Sequence, residues 1–303
     1  VTPPAPVDAT PARAWTTLRR AAGRGALGLA ALLVALYALA PFSWMIVSSV
    51  QTEREIVSVP PHWIPHEPTL ANFRDILGTP PPGKFVPSSA REMLPALRNS
   101  TVVALVVLAV DLVLAAPAAF ALARFSLRFE RALVYTVLGS RIVPDIVLVI
   151  PFYLLFQTLN LTDTLTALVV SYVGMTLPFA IFILAGYFET IPEELTKAAR
   201  ADGCTRLQAL GRVILPLSGP ALVTAGVYVF ITCWNEFLFA FMLTQTAAAK
   251  TATVVLANFT TDVTVDFALM NAAGVIAVVP PVALALLFRR FVVSGLVTGA
   301  VKG

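Results

Sequence analysis

Six long apolar stretches, parted by polar segments, leave this chain few ways to fold. They run near Leu27–Val47, Asn99–Ala123, Ala132–Leu155, Leu165–Tyr187, Leu217–Leu243 and Ala268–Phe288. Each holds about 20 residues or more, the length a helix needs to cross some 30 Å of hydrocarbon. Lipid supplies no hydrogen-bond partners, so the backbone must satisfy itself within each crossing. The expected fold is therefore all-α: a polytopic membrane protein with six transmembrane helices. Composition agrees, with 13% charged residues against about 25% in a soluble domain, and a mean hydropathy of +0.83.

The polar segments set the topology. Residues 1–24, with Arg13, Arg19, Arg20 and Arg24, read as a mobile tail like the basic part of a signal peptide. The following run, Gly25 to Thr52, carries no charge and outlasts a signal core of about 7–15 residues, so it predicts an uncleaved first span. Residues 51–98 hold nine prolines between Pro60 and Pro95. They predict an ordered external loop anchored by Trp63 and Phe73, with helical pieces at Leu70–Leu77 and Ser89–Leu97. Six spans put both termini on one side. Fourteen basic residues fall in the two tails, the Arg124–Arg131 loop and the 190–216 segment, against six in the opposite loops. That bias places both termini and the 190–216 segment in the cytoplasm of a multi-pass inner-membrane protein. The expected organisation is a tail to residue 24, a membrane domain over 25–290 and a second tail over 291–303.

Several functions are disfavoured. A formal charge of +4 fits basic cytoplasmic loops, and no nucleic-acid-binding pattern accompanies it. Cys204 and Cys233 make no disulfide framework and no metal spacing. His62 and His66 are four apart, as a helical metal pair would be, but Pro61 and Pro65 interrupt any helix there. A plain loop is expected instead. The chain contains no G-x-x-x-x-G-K-[ST] loop for nucleotide, and both histidines lie in one external loop, which excludes a Ser-His-Asp set in the membrane.

The polar island Ile191–Pro216 is the most informative segment. It carries four basic and three acidic side chains, opens on Pro192, closes on Pro216, and has Gly203 near its middle. Glu194, Ala198, Ala199 and Asp202 recur three or four apart, so they share a helical neighbourhood. Gly203 suits a left-handed turn. Thr205 can cap a second short helix to Arg212, with Leu207, Leu210, Val213 and Ile214 as its apolar stripe. A bent helix pair and an ordinary connecting loop both satisfy these facts.

The island resembles the EAA loop of ATP-binding-cassette importer permeases: EAA, three residues, Gly, nine residues, Ile-x-Leu-Pro. This chain has KAARADG at 197–203 and ILP at 214–216. Lys197 replaces the usual glutamate, and the ending lacks one residue. Glu194, one turn earlier, offers a substitute negative charge. AAFALAR at 118–124, WNEFLF at 234–239, PPHWIPHEPTLANF at 60–73 and GLVTGAVKG at 295–303 resemble the carbohydrate-importer branch, of the maltose-permease type. The likeness covers the chain from about residue 27.

The resemblance implies a permease subunit of an ATP-driven importer that moves a sugar, a di- or oligosaccharide, by alternating access. It implies a cytoplasmic coupling helix formed by Glu194, Lys197, Ala198, Ala199, Asp202 and Gly203, docked on an ATPase dimer. That partner would use ATP and Mg; no cofactor is expected on this chain, and it is not expected to be an enzyme. A second permease subunit, an extracytoplasmic sugar-binding protein and the lipid bilayer complete the expected partners, without nucleic acid. The tail at 299–303 would reach between the ATPase subunits.

Polar groups inside a membrane are costly and need a reason. Trp234, Asn235 and Glu236 could line a substrate path or gate, by stacking on and bonding to a sugar, or could join helices. Arg141 and Asp145, four apart, could pair as a structural or gating element. Asp111 reads as a partnered packing residue or one facing an internal cavity. A related permease for another solute, such as glycerol phosphate, would need a cavity-facing arginine. An ion-coupled secondary transporter would show internal repeats, and no clear repeat is visible.

Overall fold

The computed structural model describes residues 11–78, 83, 85–125, 139, 142–260 and 265–300, with side chains from 23 to 291 among them. Every regular element among the described residues is helical. In chain order they are α1 (Pro11–Ser49), α2 (Glu53–Ile56), α3 (Ala71–Leu77), α4 (Ser88–Arg124), α5 (Asp145–Thr158), α6 (Leu165–Phe188), α7 (Glu193–Ala201) and α8 (Arg206–Ala209). A π-turn (Leu210–Ile214), α9 (Leu215–Leu217), α10 (Gly219–Asn235), α11 (Leu238–Leu243), α12 (Ala252–Asn258) and α13 (Phe267–Ala300) follow.

Among the described residues, four helices are long and apolar enough to cross a membrane: Gly23–Ser49 of α1, α4, α6, and Phe267–Phe291 of α13. A fifth crossing is available if Arg206–Leu217 and Gly219–Asn235, which meet at 84°, are taken together. The expected third span is represented by α5, 14 residues long. Its earlier part, including Arg141, lies outside the described residues.

Three boundaries differ from the sequence reading. The first helix begins at Pro11 rather than near residue 25. Proline suits a first helical position, and the Ala- and Arg-rich stretch after it favours helix. The external piece at Ser89–Leu97 and the second span are one 37-residue helix, α4, running through Pro95. At about 1.5 Å per residue it far exceeds the hydrocarbon thickness and extends beyond it. The last helix continues to Ala300 rather than releasing a tail at 291; no proline follows Pro281 to stop it.

Two apolar clusters hold the bundle. The larger joins α4, α6, α10 and α11 through Val103, Val107, Leu168, Tyr172, Leu184, Val229, Phe230 and Phe239. The smaller lies at the Ser88 end of α4, where Met93 and Ala96 meet Ile76, Phe259, Leu269 and Ala273. Small residues set the closest approaches: a Cβ on Gly274 of α13 would stand 3.1 Å from Met45 Sδ of α1. Elsewhere α1 presents Leu29, Leu33, Leu36 and Tyr37 outward, the apolar face expected against lipid or a partner subunit.

Candidate functional site

The 190–216 segment folds as two short helices around a glycine turn, at the Arg124 end of α4. Pro192 precedes α7 and Glu193 and Glu194 occupy its first turn, where negative charge complements the helix dipole. Its C-terminus closes through Cys204 N–H to Ala199 O at 3.0 Å and Gly203 N–H to Arg200 O at 3.1 Å. This six-to-one and five-to-two pair needs a left-handed residue between the two helices. Gly203 supplies it at φ +87°. Thr205 then caps α8 reciprocally: Gln208 N–H donates to Thr205 Oγ1 at 3.3 Å, and Thr205 N–H to Gln208 Oε1 at 2.8 Å. A cap of this kind contributes about 1 kcal/mol. The ladder then widens into the π-turn before Pro216, which lacks the N–H that a regular turn would require.

The six residues read from the sequence divide between two faces. Glu194, Lys197, Ala198, Asp202 and Gly203 are exposed, whereas Ala199 is buried beneath them. Lys197 pairs with Glu193, not Glu194, at 3.0 Å. Both groups are more than half exposed, so the pair orders the helix surface more than it stabilises the fold.

Arg124 attaches this segment to the bundle. Its Nη2 donates to Phe188 O at 2.8 Å and to Ile191 O at 2.6 Å, placing a cation on the carbonyl end of α6. Arg206 of α8 lies 4.4 Å above the Phe125 ring. A cavity of about 330 Å3 opens between them, lined by Phe120, Arg124, Glu193, Thr196, Lys197 and Arg200 among others. In the sequence Arg124 stands out as loop charge and as the end of AAFALAR; its spacing carries no sign that it reaches 64 to 67 residues ahead.

The polar residues of the expected fifth span fall in three different environments. The expected single span breaks after Asn235, where Glu236 turns to an extended conformation. Its carboxylate accepts from Phe239 N–H at 2.7 Å and Ala240 N–H at 3.1 Å. It thus caps α11, and it also accepts from Tyr172 Oη of α6 at 2.6 Å. Trp234 is buried, with Nε1 donating to Ala277 O of α13 at 3.1 Å. Asn235 is exposed and donates to Ile231 O of its own helix. Asp145 sits in the first turn of α5, a favourable place for a carboxylate. Asp111 is fully buried and accepts from Thr176 Oγ1 of α6. Tyr172 and Thr176 were not singled out in the sequence, although a hydroxyl in an apolar helix needs a partner.

At the opposite end of the bundle, polar contacts fasten the loop after α11. Asp163, at φ +58°, accepts from Gln245 N–H, Thr246 N–H and Thr246 Oγ1. Burial pushes its carboxyl up, but these donors outweigh it and hold the group below the usual aspartate value. Asn99 donates to three carbonyls of the same loop, Ala247, Ala248 and Lys250. Lys250 reaches back to Glu92 of α4 at 2.8 Å.

Comparison with known proteins accords with this architecture. A family model described as binding-protein-dependent transport system inner membrane component matches residues 112–297. The sulfoquinovosyl glycerol transport system permease of Agrobacterium fabrum is 34% identical over 91% of this chain and 93% of its own. The trehalose transport system permease of Mycobacterium tuberculosis is 37% identical over 89% and 95%. The trehalose/maltose transport system permease of Thermococcus litoralis is 35% identical over 91% and 95%. Among solved structures, a bacterial ABC transporter involved in the import of the acidic polysaccharide alginate aligns with a TM-score of 0.74. It covers 94% of this chain and 99% of that one at 19% identity, a likeness of fold.

Proposed function

The chain belongs to the binding-protein-dependent transport system inner membrane component family, and from that premise we propose that it is one half of a sugar-import pore. In this reading a second permease subunit completes the pore, an extracytoplasmic binding protein delivers a di- or oligosaccharide, and an ATPase dimer drives alternating access. Three relatives transport sulfoquinovosyl glycerol, trehalose, or trehalose and maltose by name. Their similarity over nearly the whole chain supports a glycosidic cargo.

One observation carries the coupling assignment: α7, the Gly203 turn and capped α8 form a rigid polar surface tied to the bundle by Arg124. A connecting loop needs neither the reciprocal cap nor the carbonyl-bound arginine. In the proposed orientation this surface and both termini are cytoplasmic, six helices cross the membrane, and 190–216 is the coupling loop within the 25–290 permease domain. ATP and Mg act on the partner ATPase, since this sequence has no phosphate-binding loop.

The proposed substrate path follows the break at Glu236. Trp234 and Glu236 position it through contacts already made within the protein, while Asn235 is the exposed polar group at its edge. Reconstitution of the complete transporter with its binding protein tests the reading. ATP-dependent accumulation of a glycoside in vesicles supports it; accumulation driven by an ion gradient without the ATPase overturns it.

A further inference from the structure

The two histidines of the chain meet in the loop between α1 and α3, although no helix presents them. We propose that Glu55, His62 and His66 form a binding site for a zinc-class divalent metal ion at the end of the bundle opposite Arg124. One ligand atom from each of the three lies within 4.8 Å of the others, and the imidazole centroids are 4.5 Å apart. The backbone holds this arrangement. Glu55 sits in α2, Gln51 Nε2 donates to His62 O at 2.7 Å, and His66 N–H donates to Glu55 Oε1 at 2.7 Å.

The hydrogen bonds around Ser58 are compatible with a metal-ready tautomer of His62. The Ser58 hydroxyl has one proton, and it donates to Glu55 O at 2.6 Å. The same oxygen stands 3.2 Å from His62 Nδ1. With that proton directed to Glu55 O rather than the more distant Pro60 O at 3.4 Å, the oxygen is free to accept from Nδ1–H, the tautomer that leaves the Nε2 lone pair open. An outer-shell acceptor that fixes the tautomer is the arrangement metal-bound histidines use. Glu55 adds a second, independent observation. Its Oε2 is buried without a hydrogen-bond partner, an anionic oxygen that a cation would satisfy. The Glu55–His66 contact at 3.0 Å accounts for Oε1 and leaves Oε2 without a hydrogen-bond partner.

Two imidazoles and a carboxylate select a borderline ion such as Zn2+ over Mg2+ or Ca2+, which prefer oxygen shells. Bonds of about 2.0–2.1 Å place tetrahedral donors closer together than the free loop does. His66, 69% exposed, can swing to close that gap, and water can take the fourth position. The ion would clasp a segment already joined to both terminal helices. Trp63 packs on Trp44 of α1 at 4.8 Å, and Glu53 of α2 accepts from Ala268 N–H of α13 at 3.0 Å.

The test uses the full chain without a polyhistidine tag, stripped with chelator and titrated with Zn2+ against a chromophoric competitor. One ion per chain is expected, lost in the His62→Ala/His66→Ala variant and weakened about tenfold by Ser58→Ala. Since only two histidines exist, Zn2+ should also protect the wild-type chain from diethylpyrocarbonate, a measurement that needs no variant. Absence of saturable binding, equal binding by the double variant, or carbethoxylation unaffected by Zn2+ would overturn the proposal.

Discussion

Tyr172 Oη donates to Glu236 Oε2 at 2.6 Å, joining the middle of α6 to the break between α10 and α11. The same carboxylate accepts two backbone N–H groups of α11. A span that must bend inside lipid exposes amides that water cannot reach. One side chain here satisfies them and ties the bend to its neighbour. Tyr172→Phe should lower stability by about 1–2 kcal/mol, read as a lower thermal midpoint in detergent. Glu236→Ala should cost more, because it also strips the amides of α11, and it should alter uptake. Uptake kinetics unchanged by Glu236→Ala would remove this residue from both path and gate.

Gly203→Asp should uncouple ATP hydrolysis from uptake while the membrane bundle stays folded. A Cβ at this position meets nothing within 4 Å, so the penalty is confined to the left-handed backbone, about 1 kcal/mol. Gly203→Asn carries similar strain without charge, and separates the two effects. Full transport by the Asp variant would sink the coupling assignment.

Arg124 binds two carbonyls through one nitrogen. Arg124→Ala leaves both without this donor, at about 1.5–3 kcal/mol for a charged bond. Uptake driven by ATP should fall further than stability does, because the lost contact lies between the bundle and the proposed coupling segment. Arg124→Lys should rescue only in part, since the ammonium sits on a shorter, flexible stem that does not hold one nitrogen fixed between the two carbonyls. Equal losses in an isolated-chain melt and in coupled uptake would argue for a purely structural role.

Asp163 predicts an acid-sensitive loop. Its folded pKa is lowered by the Gln245 and Thr246 donors against the opposing effect of burial. The stabilisation is therefore complete above the unfolded value of about 3.9 and is lost as pH falls through the lower folded one. Hydrogen exchange at Gln245 and Thr246 should accelerate over that acid range in the wild-type chain. Asp163→Asn should exchange faster at neutral pH and show no acid step.

Periodicity and turn chemistry made part of this molecule legible. The α6 boundaries follow the apolar run from Leu165, and the Gly203 turn with the Thr205 cap follows from residue type. The break at Glu236 was not legible. Asn235 and Glu236 mark the apolar span with polar groups, but no local pattern shows that the carboxylate stops the helix, because it is satisfied partly by Tyr172, 64 residues away. Likewise, the spacing of His62 and His66 suits a helical pair, and Pro61 and Pro65 set that helix aside in favour of a plain loop. The loop brings the rings together by bonds from Gln51, Glu55 and Ser58.

By itself the sequence determined what the bilayer enforces: long apolar helices, and a polar island set between two of them. These are local properties, set by transfer energy per residue and by backbone preferences over a few positions. Tertiary structure alone decided which polar groups are spent inside the protein. Lys197 turned to Glu193 rather than Glu194, Ala199 went beneath the surface that Ala198 presents, and Trp234 gave its N–H to Ala277. The physical reason is that a buried polar atom must find a partner wherever packing places one, and packing joins residues whose separation in the chain carries no record of the meeting.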